Sequence, residues 1–241
     1  MYYTPNINIM NAITDFKSIA PNNDTELHFQ EQLETFPCQL VKKGTYILQE
    51  GAIPKDIVYI EKGRIISLAK YNKEEKELAI GYFHKEQFIN LSALTNRQKN
   101  KQSAKALSPA TIRRIPIYKF NGWMRKNPYI HQLVLHSLVR ELERKKQAYY
   151  QNIVLKSEER VIHFLLDQIQ QVGIRVGYEW VIRDFFTQKE IALLTNTARQ
   201  TVNLVLNSLR KKKIVHFTYK YFIVRELAAL EAMVNTQLIK N

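Results

Sequence analysis

The chain has 241 residues, of which 36 are Lys or Arg and 22 are Asp or Glu, giving a formal net charge of +14. Its hydrophobic content of 45% excludes a disordered chain, and its length suits two modest domains better than one. The charge favours a phosphate-rich partner, although an anionic membrane would also attract it. Without a run of eighteen apolar residues or a basic, apolar leader, the chain is expected in the cytoplasm and outside the membrane.

The cysteine and histidine content limits the chemistry further. The single cysteine, Cys38, excludes an intramolecular disulfide and any four-cysteine zinc or iron–sulfur centre within one chain. Because Cys38 leads into a β-prone run, a buried structural thiol is favoured over a redox sensor. The six histidines show no metal-ligand spacing. We predict no metal and no cofactor, and leave open an unknown small-molecule effector.

Residues 22–36 predict a short helix after a loose lead-in over residues 1–20, and short apolar runs follow. Three glycines, Gly44, Gly51 and Gly63, lie between several of these runs. Short strands at this spacing, with turn residues between them, indicate a β-barrel or β-sandwich domain. The predicted strands cover residues 46–48, 57–60, 64–68, 77–83 and 111–115.

A long helix is predicted after Pro128, over residues 130–150, where the hydrophobic period changes to about 3.6. Its apolar side chains follow alternating steps of three and four, which is typical of a coiled-coil seam. Such a stripe could instead pack only on its own barrel, but Val134 and Val139 widen the apolar face beyond one contact. We therefore favour a homodimer seam, formed by Leu135, Leu138, Leu142 and Tyr149.

A further helix is predicted from Ser157 to about Gln171, with the Ser157 hydroxyl as its cap and Glu158 and Glu159 at the positive end of its dipole. Residues 152–156 are the predicted linker between domains. A short strand is expected over residues 180–182.

Residues 187–209 predict two short helices joined by a tight turn, the pattern of a helix-turn-helix DNA-binding motif. Thr187 with Glu190, and Thr197 with Gln200, have the spacing of capping boxes. Asn196 lies between them, where the turn requires a left-handed backbone. In the second helix, an apolar stripe is predicted to face the core, formed by Val202, Val205, Leu206 and Leu209.

The opposite face of that helix is polar and suited to DNA. Arg199, Gln200 and Asn203 can contact base edges in a major groove, and no Asp or Glu occurs from residue 191 to residue 225. The alternative is an ordinary helical hairpin with a solvated basic face. The remaining predicted DNA contacts are Thr187, Lys189, Thr197, Lys212 and Lys213.

Two β-prone runs, residues 213–218 and 221–224, follow the motif and predict a winged hairpin around Tyr219 and Lys220. An amphipathic helix is predicted over residues 226–238.

This order of elements resembles the cyclic-AMP receptor protein/Fnr (Crp/Fnr) family of bacterial transcription factors. The similarity includes the run Lys43 to Gly51, the run Val58 to Arg64, and residues 199–202, where Arg-Gln-Thr-Val replaces the common Arg-Glu-Thr-Val of the family. The resemblance implies an α+β fold: a cyclic-nucleotide-binding-like β-roll (double-stranded β-helix) over residues 1–126, a dimerisation helix and linker over 127–154, and a winged helix-turn-helix over 155–241. It implies a homodimeric regulator on double-stranded DNA, with RNA polymerase as a candidate further partner.

The effector site departs from the family. Members that bind cyclic nucleotides use a Gly-Glu pair for the ribose and an Arg-Ser pair for the cyclic phosphate. Asn90 and Leu91 replace the first pair here, and Gln102 and Ser103 replace the second, so only the serine is kept. Losing the bidentate guanidinium costs on the order of 2–3 kcal/mol. We predict that cyclic AMP is not the effector.

The basic residues of the loop, Arg97, Lys99, Lys101 and Lys105, could hold another anion, although a solvated loop is the simpler interpretation. In the reading helix, the family's Glu is Gln200 and its third contact, an Arg, is Leu204. Because Glu accepts from cytosine and Gln prefers adenine, the DNA half-site should differ from the usual one.

The sequence contains no nucleophile elbow, phosphate loop, metal box or paired carboxylates, so no catalytic residue is predicted. The alternative function is a small-molecule-binding protein whose basic C-terminal domain binds RNA or a protein partner.

Overall fold

The computed structural model describes residues 23–71, 76–95, 98–218 and 220–235. The predicted lead-in over residues 1–20, Arg97, Tyr219 and the last three residues of the predicted C-terminal helix lie outside these ranges. The helices of the described residues, besides a short 3-10 helix at Leu91–Leu94, are α1 (Asn23–Glu34), α2 (Ile117–Lys126), α3 (Pro128–Val154), α4 (Ser157–Val172), α5 (Gln188–Leu194), α6 (Arg199–Lys211) and α7 (Leu227–Asn235).

The strands form three four-stranded sheets, with the orders β1-β8-β3-β6, β2-β7-β4-β5 and β11-β12-β10-β9. Each of the eight predicted strands corresponds to an observed one, and β1, β6, β7 and β9 are additional. Their bounds are β1 (Cys38–Val41), β2 (Tyr46–Leu48), β3 (Asp56–Lys62), β4 (Ile65–Tyr71), β5 (Lys76–Phe83), β6 (Gln87–Ile89), β7 (Ser103–Ala106), β8 (Ala110–Pro116), β9 (Ile174–Val176), β10 (Glu179–Arg183), β11 (Val215–Phe217) and β12 (Tyr221–Val224).

The N-terminal half is a β-roll in which strand β3 is covered on both faces. Val58 and Ile60 pack with side chains of the roll interior, whereas Ile57 and Tyr59 pack in a second cluster that includes residues of α1, α2 and α3. Since successive side chains of a strand point to opposite faces, a continuous apolar run is what a doubly covered strand requires. This explains why residues 57–60 show no alternation of polar and apolar residues.

Aromatic rings fill the helical side of the roll. The Phe29 ring on α1 makes edge contacts with the rings of Tyr59, Phe88, Trp123 and Tyr129, at centroid distances of 5.9 to 6.4 Å. Such pairs add to the stabilisation that comes from burying their area. The predicted helix over residues 22–36 is thereby confirmed as α1, and its apolar side is anchored on the roll.

Helix α2 is absent from the sequence-based predictions. It occupies the ten residues between Pro116, its N-cap, and Asn127. A ten-residue amphipathic segment beside a β-rich region carries a weak periodic signal. Its buried anchor is Phe120, which contacts the Phe88 ring at 5.3 Å.

Cys38 is exposed, so the prediction of a buried thiol is wrong. The residue lies on β1, whose first three residues are exposed and whose strand lies at the end of its sheet. An edge strand with this pattern leaves β-prone side chains in solvent. The Cys38 thiol lies 3.7 Å from a carboxylate oxygen of Glu61.

In the C-terminal half, α4 presents a buried apolar stripe, as the sequence predicts, with Val161, Leu165 and Ile169 inside. The sheet of β9 to β12 is antiparallel throughout, and β10 pairs with β12 in the register Trp180 to Val224. The closing helix α7 buries Leu230. The architecture is therefore the α+β fold that the sequence predicts: a β-roll, a long helix and a winged helix-turn-helix.

Contacts between Cα atoms divide the chain into two compact units. One comprises residues 1–65 with 83–140, and the other comprises residues 66–82 with 141–241. This division places most of β4 and β5 in the second unit, whereas the predicted domain limits at residues 126 and 154 place both strands in the N-terminal domain. Those limits stay a prediction. No helix in the described ranges is long and apolar enough to cross a membrane.

Candidate nucleic-acid interface

Helix α5 begins with the capping box that the sequence predicts. The Thr187 hydroxyl accepts a hydrogen bond from the Glu190 amide at 3.2 Å, and the Glu190 carboxylate accepts one from the Thr187 amide at 2.8 Å. Each side chain satisfies an amide that the start of a helix leaves without an intrahelical partner. Thr187 and Lys189 are exposed. The two predicted phosphate contacts at this helix are thus accessible.

The turn between α5 and α6 has the left-handed residue that the sequence predicts. Asn196 has a φ of 48°, a conformation that Asn and Gly adopt more easily than other residues. The next amide, of Thr197, donates to the Ala192 carbonyl at 2.9 Å. Ala192 is buried, so its small side chain allows the two helices to approach closely.

Arg160 of α4 fixes this turn from outside the motif. Its Nε donates to the Thr195 carbonyl at 2.9 Å, and its Nη2 donates to the Asn196 carbonyl at 2.8 Å. Its Nη1 donates to the Leu155 carbonyl at 2.9 Å, ahead of α4. The planar guanidinium thus joins the start of α4 to the turn of the motif. No local sequence pattern identifies Arg160 in this role, because 35 positions separate it from Thr195.

The predicted second capping box, of Thr197 with Gln200, is wrong. The N-cap of α6 is Ala198, which makes no side-chain cap. The Thr197 hydroxyl instead donates to the Thr195 carbonyl at 3.1 Å and accepts from Arg160 at 3.4 Å. The predicted Ser157 cap of α4 is wrong for a related reason, since that hydroxyl also accepts from Arg160, at 3.2 Å. Both hydroxyls therefore accept hydrogen bonds from the Arg160 guanidinium, and neither caps a helix.

Helix α6 separates an apolar face from a polar one. The four residues of its predicted apolar stripe are all buried: Val202, Val205, Leu206 and Leu209. Arg199, Gln200 and Asn203 are exposed, together with Asn207. The residues proposed to read bases therefore lie on one accessible side of a helix whose other side is anchored in the core.

The amide of Asn203 is held in place by two neighbours. Its Oδ1 accepts from Nε2 of Gln188 on α5 at 3.2 Å and from Nδ2 of Asn207 one turn later at 2.8 Å. The first hydrogen bond connects the two helices, and the second runs along α6. They reduce the side-chain freedom that Asn203 would otherwise lose on binding a ligand.

The C-terminal end of α6 is cationic. Arg210 and Lys211 occupy the last turn, and Lys212 and Lys213 follow, all exposed. The Lys213 amide donates to the Arg210 carbonyl and the Ile214 amide donates to the Leu209 carbonyl, both at 3.0 Å, which is the Schellman arrangement. Lys213 accordingly has a φ of 59°. The chain turns sharply here and directs the buried Ile214 inward.

The predicted wing is present as β11 and β12. They pair antiparallel with Val215 opposite Val224 and Phe217 opposite Phe222. The connecting turn needs no glycine, because the Thr218 hydroxyl accepts from the amides of Lys220 and Tyr221, each at 3.2 Å. Side-chain hydroxyls that bond the backbone two or three residues on stabilise such turns.

The four predicted effector residues lie in the β-roll. Asn90 has a φ of 71°, and its side-chain amide donates to the Asp56 carbonyl at 3.0 Å. Leu91 is buried in the aromatic cluster and begins the 3-10 helix. The Ser103 hydroxyl accepts from the Glu50 amide at 3.0 Å, and Gln102 beside it is half-buried. Asn90, Leu91 and Ser103 are thus engaged in contacts within the protein.

The predicted seam on α3 is solvent-exposed in the single chain. The exposed fractions are 61% for Leu135, 45% for Leu138, 57% for Leu142 and 71% for Tyr149. In contrast, Ile130 and Val134 at the start of the helix are buried against the roll. The apolar stripe of α3 thus extends beyond the residues that pack against the roll of the same chain.

Models of two known domains match this chain. The cyclic nucleotide-binding domain matches residues 38–127, and the Crp-like helix-turn-helix domain matches residues 159–233. The chain belongs to the Crp/Fnr family of transcription regulators. A Crp/Fnr relative, the anaerobic regulatory protein of Bacillus subtilis (strain 168), is 23% identical over 207 residues, which cover 83% of this chain and 86% of the relative.

Solved structures of this family share the fold. A mutant of CooA from Carboxydothermus hydrogenoformans is 17% identical, with a TM-score of 0.71 and 97% of each chain covered. FixK2 from Bradyrhizobium japonicum is 14% identical, with a TM-score of 0.70, covering 81% of this chain and 96% of FixK2. At these identities the similarity shows the fold alone.

Proposed function

We propose that this Crp/Fnr regulator acts as a homodimer that recognises a specific, two-fold symmetric duplex site through α6, and that cyclic AMP is not its effector. The observation that carries the proposal is the exposed face of α6, where Arg199, Gln200 and Asn203 stand opposite a buried apolar stripe. No acidic residue occurs between residues 191 and 225 to repel phosphates. The predicted contact with RNA polymerase and the cytoplasmic location follow from that role and stay predictions.

The DNA-contacting residues fall into two groups. Arg199 and Gln200 lie in the first turn of α6, and the N-terminal part of a recognition helix is the part that contacts base edges. Thr187, Lys189, Lys212 and Lys213 lie at the ends of α5 and α6 and are proposed to bind phosphates. Thr197 has a different role, because its hydroxyl is used within the turn. It supports the motif rather than the DNA.

The exposed stripe on α3 supports the homodimer. Four large apolar side chains on one side of a helix are costly in water, and pairing two copies of α3 would bury them all. A parallel pair would also place two α6 helices in successive major grooves about 34 Å apart. We therefore propose the homodimer and the recognition of a symmetric site together, because the first would produce the second.

The surroundings of Asn90 and Ser103 support the proposal about cyclic AMP. Leu91 has no acceptor for a ribose hydroxyl, and its side chain is buried. Gln102 has no charge to pair with the cyclic phosphate. We expect isothermal titration calorimetry to show no binding of cyclic AMP at micromolar concentrations. Micromolar binding would contradict this part of the proposal and leave the DNA-binding part standing.

Selection of genomic DNA fragments by the purified protein tests the main proposal. Sequencing the bound fragments should give a palindromic motif whose half-sites lie one helical turn apart. In a mobility-shift titration at fixed salt, the selected duplex should bind at least about a thousandfold more tightly than a shuffled one. Equal affinity for the two duplexes would show that the protein is not a specific regulator of this kind.

A further inference from the structure

Leu204 stands at the centre of the exposed face of α6. Its exposed fraction is 68%, although it lies between the buried residues Val202 and Leu206. Each of these is two residues away, which corresponds to about 200° around a helix of 3.6 residues per turn. Leu204 therefore points almost directly away from the core. It is the one large apolar side chain of α6 that is exposed, and the whole of α6 is described.

The neighbours of Leu204 are polar and partly fixed. Gln200 lies one turn earlier and Asn207 three residues later, both exposed. Asn203 is held by the amides of Gln188 and Asn207. Leu204 therefore lies among side-chain amides and makes no contribution to core packing. Helix propensity does not require it either, because Gln, Lys and Arg are nearly as favourable as Leu.

We propose that Leu204 determines specificity by packing against the C5 methyl group of a thymine in the major groove. The inference rests on the proposed function, which places this face of α6 against base edges. A leucine can neither donate nor accept a hydrogen bond, and the thymine methyl is the apolar group that base pairs present in the major groove. Opposite a cytosine amino group, the same leucine would exclude water without replacing its hydrogen bond, which is unfavourable.

The geometry of α6 also limits where that thymine lies. Leu204 is four residues beyond Gln200, or about 6 Å along the helix axis. At about 3.4 Å per base pair, this distance corresponds to roughly two base-pair steps. The thymine is therefore expected within two base pairs of the base that Gln200 contacts, in each half-site.

Replacing thymine by deoxyuridine tests the proposal, because it removes the methyl group and keeps the base pairing. Each thymine of the selected half-site is replaced in turn, and binding of the wild-type protein and of Leu204→Ala is measured at fixed salt. For one thymine in the expected interval, deoxyuridine should weaken wild-type binding about fourfold, the effect of one methyl-sized apolar contact. The same replacement should change Leu204→Ala binding by less than about 1.5-fold, since the contact is already lost.

Leu40→Ala is the matched control, because Leu40 is an exposed leucine on β1 in the roll. It should retain the wild-type sensitivity to deoxyuridine. The inference is overturned if no thymine shows this coupling with Leu204, or if Leu204→Ala weakens both duplexes by the same factor. Either result leaves the proposed function intact as long as the selected duplex is still preferred over the shuffled one. If the wild-type protein prefers no sequence, both proposals fail together.

Discussion

The guanidinium of Arg160 donates to the carbonyl oxygen of Asn196 at 2.8 Å, so a helix outside the helix-turn-helix holds its left-handed turn. The same side chain also binds the Leu155 and Thr195 carbonyls. With the hydroxyls of Ser157 and Thr197, one planar group thus donates to five acceptors in two separate segments. This side chain therefore joins the start of α4 to the turn that precedes α6.

Replacing Arg160 by Lys should lower the free energy of unfolding by about 2–4 kcal/mol, because an ammonium keeps the charge but cannot reach the same acceptors. Urea denaturation followed by circular dichroism measures the loss. The control is Arg175→Lys, since Arg175 is exposed and its side chain, among the described residues, donates only to the Gly177 carbonyl. It should change the stability by less than about 0.5 kcal/mol. Equal losses of stability in the two variants would show that Arg160 contributes no more to folding than an exposed arginine does.

Replacing Arg199 by Ala should weaken binding to the selected duplex by about 1–3 kcal/mol and relax base preference at one position of each half-site. The reason is that a guanidinium in the first turn of α6 can make bidentate contacts with a base edge. Competition against duplexes mutated at each position measures the preference. A loss of the same size on shuffled DNA would place Arg199 on a phosphate instead.

Lys212→Ala should behave differently from Arg199→Ala, because a phosphate contact carries no sequence information. Affinity should fall by similar factors on selected and shuffled duplexes, and the slope of log K against log salt should become shallower by about one. Filter binding between low and moderate salt gives the slope. Lys126→Ala, an exposed lysine at the end of α2, is the control and should leave the slope unchanged. An unchanged slope for Lys212→Ala would remove this residue from the interface.

Leu142→Glu should convert the proposed homodimer to a monomer, because it would bury a carboxylate in the proposed apolar seam. Sedimentation equilibrium measures the mass, and a mobility shift measures the accompanying loss of affinity for the palindrome. Gln147→Glu introduces the same side chain at an exposed position on the other side of α3 and should remain dimeric. If both variants sediment as dimers, the α3 stripe is not the dimer interface.

Asp167 on α4 gives a pH-dependent prediction. Burial raises the pKa of its carboxyl to about 6, although the Arg144 charge opposes the shift. The folded protein then holds this proton more tightly than the unfolded chain. The residue favours folding most below about pH 4, the unfolded pKa, and that contribution is lost as pH rises through about 6. At neutral pH the ionised group should cost at most about 3 kcal/mol.

Asp167→Asn should therefore gain stability relative to wild type as pH rises from 4 to 7. Urea denaturation at several pH values gives the difference, which cancels the titration of nearby groups such as His163. A constant difference for Asp167→Asn would contradict the raised pKa.

Local chemistry accounts for most of what the sequence could predict. The Thr187 capping box and the left-handed Asn196 depend on residues within four positions of each other, and both are present. The hydrophobic pattern likewise identified α3, the apolar stripe of α6 and five strands of the roll, β2 to β5 and β8. These features need no knowledge of which distant segments meet.

The errors have the opposite origin. Thr197 and Ser157 have the residue types of helix caps, but Arg160 binds both hydroxyls in the folded chain. Cys38 is exposed because β1 lies at a sheet edge, which depends on the order of strands. The bond between Gln188 and Asn203 likewise joins two helices. Thr197, Cys38 and Asn203 thus depend on which distant segments meet in the fold.

Lys213 carries a cost that a glycine would avoid. At its φ of 59°, a side chain costs roughly 1 kcal/mol or more relative to glycine. A redesign aimed only at heat resistance would place glycine there and would remove a cation from the end of α6. Thermal stability and attraction for DNA therefore pull in opposite directions at this position, and a stabilised version of the regulator would have to recover the lost charge elsewhere on its DNA-facing side.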